Sequence, residues 1–206
     1  MRTHQEDEFL AWAERSGFQI DPRYPHSAVL TFRPDPEHDR FWEVPSEPER
    51  RPYFITSLLD CMGDWRACYV WKHLGSWPQS AVPERINDVV QLRILDGLGL
   101  PLGTNAVVEF SRAEHDRLVT LLFSTTIFGW SVGDDLYVVP DHGQHVLQTD
   151  HHDVIHMSFG TEEPRPVRRR DGAARVSVAR GSARSHVQAT ALDEGRPRVT
   201  RRNLHR

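Results

Sequence analysis

The chain has 206 residues, and its formal charge of −4 conceals a division: residues 1–163 carry 13 Lys and Arg against 26 Asp and Glu, a formal −13, whereas residues 164–206 carry 12 Arg against Asp171, Asp193 and Glu194, a formal +9. All Trp, every other aromatic and every Ile fall in the first part, which predicts an acidic globular domain over 1–163 and a disordered Arg-rich tail over 164–206, where too little apolar bulk exists to offset the entropy of ordering a backbone. No stretch approaches the roughly 18 apolar residues of a membrane span, Met1–Phe9 has neither a basic leader nor a signal-length apolar run, and Cys61 and Cys68 alone make neither a disulfide framework nor a zinc ribbon, which leaves a reducing cytoplasm as the expected location.

Thr3–Glu6 has the form of a capping box, the Thr hydroxyl accepting from the backbone while Glu6 reaches back. It predicts a helix to about Ser16, with Phe9, Trp12 and Ala13 inward and Gly17 as a left-handed stop. Asp21-Pro22 and Tyr24-Pro25 read as breaks. Ala28 to Phe32 and Phe41 to Val44 then predict a pair of strands around the turn beginning at Pro34. Tyr53 to Met62 predicts a helix closed by Gly63, Arg66 to Trp71 a strand, and Gly75 to Pro83 an exposed loop. From Glu84 to Asp96, Ile86, Val89, Val90, Arg93 and Ile94 recur at helical spacing and predict a third helix, which stops in the glycine-rich run Gly97 to Gly103. After a strand over Val107 to Phe110, Ser111–Glu114 forms a second capping box. It opens a helix to about Phe128, with Leu118, Leu121, Leu122 and Thr125 inward and Gly129 as its end. Asp135 to Val139, Gln144 to Thr149 and Val154 to Phe159 close the domain. Their connections are too short for parallel crossovers, so a three-stranded antiparallel meander is expected. The whole reads as an α+β domain, a mainly antiparallel sheet with helices on one face.

Five of the twelve histidines fall between His142 and His156, among Asp141, Asp150 and Asp153. Imidazole and carboxylate together suit zinc, manganese or iron, and two adjacent turns would bring His142, His145, His151 and His152 to one divalent ion. An extended His151-His152 pair would instead point to opposite sides. This gives the alternative function, a metal-dependent hydrolase built on the final meander. Thr149–His152 resembles the signature of the DHH phosphoesterases. The resemblance stops at those residues, because that family also splits an Asp-x-Asp pair where Asp134 and Asp135 are adjacent here.

Trp65, Ala67, Tyr69 and Trp71 alternate onto one side of their strand, and the three large rings would make a stacking platform for a sugar, a base, a proline-rich peptide or a protein partner. The same pattern also describes a core face lying under a helix. Gly97 to Gly103 spaces its last glycine one residue too far for a dinucleotide loop and follows a helix rather than a strand. P-loop, Gly-x-Ser-x-Gly and His-Glu-x-x-His signatures are absent. In the tail, Arg168–Arg170, Arg175, Arg180 and Arg184 suit the phosphates of a nucleic acid, an acidic surface of the body or of a partner, or no selected role. The leading reading is therefore a non-enzymatic, inhibitor- or immunity-like bacterial-type protein without a cofactor, whose acidic body engages a protein partner, with a basic one matching its charge.

Overall fold

The computed structural model describes residues 1–24, 27–31, 40–72, 76–81, 84–128, 136–150 and 154–160. The tail from 164 onward, His151, His152, the helix stop at Gly129 and the Asp134-Asp135 pair lie outside these residues.

Seven strands form one sheet, every neighbouring pair antiparallel, in the order β1 (Arg2–His4), β6 (Val107–Ser111), β5 (Ala67–Lys72), β7 (Leu136–Pro140), β8 (His145–Asp150), β9 (Val154–Phe159) and β4 (Arg40–Glu43). The expected meander is β7–β8–β9, with Val138 opposite Leu147 and Leu147 opposite Met157. Strand alternation builds two cores. Cys68, Val70, Val108, Phe110, Val138, Leu147 and Met157 face one side and meet α2 (Arg51–Cys61), α3 (Ile86–Gly97) and α4 (His115–Phe128). Trp71, Val107, Tyr137, Val139 and Val146 face the other side and are covered by Phe9 and Ala13 of α1 (Glu6–Arg15). The α+β class and the mainly antiparallel sheet hold, with three helices sharing one face. The fourth, α1, lies on the opposite face and is tied there by Trp71 Nε1, which donates to Glu6 Oε1 at 2.8 Å. Each large apolar side chain removed from water in these layers stabilises the fold by roughly 1.5–3 kcal/mol.

The helix boundaries follow local chemistry. Gly17 and Gly63 stand at φ 94° and 79° just past α1 and α2, in the left-handed region where glycine carries no Cβ penalty. Ser111 and Glu114 make both arms of their capping box, through a 3-10 turn at Arg112–Glu114 that leads into α4.

Two expectations are overturned by long-range pairing. Thr3 does not cap α1: it sits in β1 opposite Val108, and α1 begins after Gln5, which makes no side-chain cap. Ladder pairing of Arg2–His4 with β6 replaces a cap of about 1 kcal/mol. Ala28 to Phe32 does not pair with Phe41 to Val44. Ser27–Thr31 (β3) pairs instead with Gln19–Tyr24 (β2) in a separate ribbon, while Arg40–Glu43 joins β9. Pro22 is absorbed within β2, where the register shifts between Asp21 and Tyr24, the kind of irregular, two-stranded edge where a strand tolerates proline. In α3 the inner residues are Gln91 and Leu95, whereas Ile86 and Val90, picked out by their helical spacing, are 70% and 39% exposed.

Candidate functional site

The proposed aromatic platform is not assembled. Strand pairing in β5 begins only at Ala67, so Trp65 escapes the alternation that sets Tyr69 and Trp71 on the α1 side. Trp65 is buried in the opposite core, where its ring stacks with His115 at 6.3 Å and carries the Arg112 guanidinium at 4.6 Å. Trp71 is buried between Phe9 and Tyr137, with ring centroids at 6.1 and 5.2 Å. Tyr69 is half-buried beside Trp12 at 4.8 Å and His4 at 5.4 Å. Burial, then Glu109 and Asp141, raise its phenol. His4 Nε2 lies 2.6 Å from Glu109 Oε2, closing the rim of this cluster.

Of the four histidines proposed for a metal, His142 and His145 are adjacent, with centroids 5.3 Å apart, while His151 and His152 lie outside the described residues. Both nitrogens of His142 are engaged by backbone: Nε2 with the Met62 carbonyl at 2.9 Å, and Nδ1 with the Gln144 N–H at 3.1 Å. A ring committed in this way has no lone pair left for an ion. Among the described residues, no group of three or more His, Cys, Asp or Glu side chains is placed to hold one. The thiols are no better placed as nucleophiles. Cys61 and Cys68 are both buried, and burial foremost pushes Cys61 up to about 11 and Cys68 well above its ordinary value.

A different surface emerges on the helix layer. Asp60, near the end of α2, pairs with Arg112 just ahead of α4 at 3.8 Å, and Arg51 Nη1 donates to the Thr126 carbonyl near the end of α4. These contacts run α2 antiparallel to α4. Arg117 Nη2, in the first turns of α4, donates to the Leu98 carbonyl just past α3, which seats the exit of α3 against the start of α4. The first turn of α2 and the last turn of α4 therefore share one end of the layer, with the exposed Tyr53 and Ile127, while the exposed Ile86 and Val90 stand on the first half of α3, away from its contact with Arg117. Single exposed aliphatics are ordinary on a protein surface. Large apolar side chains left exposed on three helices of one layer, with an aromatic among them, are the kind of surface on which another protein seats. The sequence pattern singled out Ile86 and Val90 by their helical spacing, and nothing in that spacing distinguishes a core stripe from an interface stripe.

No protein-family model, curated protein or solved structure matches this chain.

Proposed function

We propose that the chain is a non-enzymatic, cytoplasmic protein-binding domain whose partner seats on the helix layer, at Tyr53, Ile86, Val90 and Ile127. The observation that carries this reading is the rotation of α3. Ile86 and Val90 stand one turn apart on its solvent side, while Gln91 occupies the interior. A helix that exposes aliphatics and buries an amide breaks the usual pattern, and such local conflicts gather where a surface serves something other than the fold. The formal −13 of residues 1–163 favours a basic partner, chiefly by speeding encounter and rejecting acidic competitors. Buried, reduced cysteines agree with a reducing compartment.

The test is co-purification from cells that express the chain naturally, comparing wild type with Ile86→Glu and Tyr53→Glu. Both substitutions fall on exposed side chains and leave the melting temperature nearly unchanged. A specific protein recovered with wild type should be lost at least tenfold from both variants, as expected for a central contact worth more than about 1.4 kcal/mol. Equal recovery of the same proteins by all three removes this face from consideration.

A further inference from the structure

Lys72 is the only lysine among the 206 residues, and every other of the 25 basic side chains is an arginine. A guanidinium keeps its proton in a protein and has no free lone pair to give an acyl carbon, so the chain offers an activated acyl donor a single side-chain amine. The fold places that amine inside. Lys72 closes β5, is 5% exposed, and shares one row of the sheet with Leu136, Thr149, Ile155 and Trp42, all buried. Side chains in one row of an antiparallel sheet project to the same face. Leu136, Ile155 and Trp42 belong to the core under α2, α3 and α4, so the row sets Lys72 towards that core as well. The position is nevertheless a strand end. Among the described residues the ladder with β6 stops at Val70, and only the ladder with β7 continues as far as Lys72, opposite Leu136. Leu136 is fixed in turn by Thr149, whose Oγ1 accepts from its N–H at 3.2 Å. Strand ends paired on one side open more readily than the middle of a sheet.

We propose that Lys72 is a fold-gated acylation site: the closed sheet withholds its amine, and parting of β5 from β7 at Leu136 surrenders it to activated acyl donors of the acyl phosphate or thioester class. In that step the amine lone pair attacks the acyl carbon and a C–N bond forms. The C–O bond to phosphate, or the C–S bond of the thioester, breaks with its electron pair on the leaving group, and the amine proton passes to solvent. Nothing is oxidised or reduced. The product is a neutral amide, longer than the lysine by the whole acyl group, in a row whose members are already packed. Close-packed interiors do not take up added heavy atoms without displacing their neighbours. Acylation taken in the open state therefore opposes closure, and a chain that has opened once is marked and held open, whereas a closed chain is passed over.

The full chain is treated with N-hydroxysuccinimidyl acetate in mildly alkaline buffer, with and without unfolding concentrations of urea, and acetylation at Lys72 is followed by peptide mass spectrometry. In native buffer Lys72 should react on the order of 100-fold more slowly than in urea. Leu136→Ala, which loosens the rung opposite Lys72, should raise the native rate by about tenfold. Where Leu136→Ala does not fold, Thr149→Val decides, because it removes the oxygen that holds the Leu136 N–H and should raise the native rate in the same direction. After return from urea under conditions in which unmodified chain refolds, the acetylated chain should lack the wild-type melting transition. Native acetylation as fast as that in urea, a native rate unmoved in the folded variant, or an acetylated chain that melts like wild type overturns the proposal.

Discussion

Glu114 shows how much one side chain can organise. Its carboxylate accepts from the Met1 ammonium, from Ser111 N–H at 3.0 Å, from Ser111 Oγ at 2.9 Å and from Arg117 Nη1 at 2.9 Å. These donors, the Met1 ammonium first and the Ser111 backbone next, hold it down at about 2. Because folding lowers its proton affinity, its contribution is whole above the ordinary value of 4.5 and disappears as pH falls through about 2. Glu114→Gln should therefore melt below wild type at pH 7, and the gap should narrow steadily below pH 4.5 in thermal unfolding followed by circular dichroism. A gap of constant size would show that geometry, not charge, is what Glu114 supplies. Ser111→Ala should cost about 1 kcal/mol, or about 2–4 °C for a domain of this size. This box was legible because it needs only residues three apart ahead of an apolar helix. The same lettering at Thr3 misled because the strand partner that captures Thr3 lies a hundred residues away.

At the scale of elements, α3 separates what a pattern reveals from what packing decides. Its existence and its glycine-rich exit were readable, but its rotation was not. The stripe that wins is Gln91, Leu95 and Leu98, running past the helix end to Leu100, all of them buried. The rival stripe of Ile86, Val89, Val90 and Ile94 is more aliphatic within the helix itself, so a reading confined to the helix prefers it. Gln91 is 2% exposed, its Nε2 has no hydrogen-bond partner among the described residues, and it borders a cavity of about 30 Å³ with Pro78, Ser80 and Leu95. An unpaired buried amide costs roughly 1–3 kcal/mol. Gln91→Met, which keeps the length and removes the amide, should thus leave urea stability unchanged or raise it by about 1 kcal/mol, whereas Leu95→Ala should lose about 2–5 kcal/mol. A Gln91→Met loss as large as that of Leu95→Ala would mean that the amide is satisfied by a partner and that α3 is rotated for stability.

The whole molecule is three layers where the sequence suggested two. The missed layer had a readable cause: β7, Leu136–Pro140, is buried along its entire length, a run with no polar side. Such runs mark strands covered on both faces. The alternation in β5 likewise served two cores at once, which is why Tyr69 and Trp71 looked like a platform and are packed under α1. All described strands and helices, those of the seven-stranded sheet among them, lie between Arg2 and Phe159. A chain cut after residue 163 should therefore keep the melting transition of the full chain while its formal charge changes from −4 to −13. That pair of proteins isolates the role of the Arg-rich segment. If Arg168–Arg170 and the arginines beyond them engage phosphates, the full chain should bind a duplex oligonucleotide with an affinity that falls linearly with salt on logarithmic axes, by roughly 0.9 per phosphate neutralised. The 1–163 protein, negative and without that run, should not bind at any salt. Equal and salt-insensitive binding by the two would take nucleic acid away from the tail. Tighter binding of a basic protein by the shorter chain would instead place the tail in competition for the acidic body.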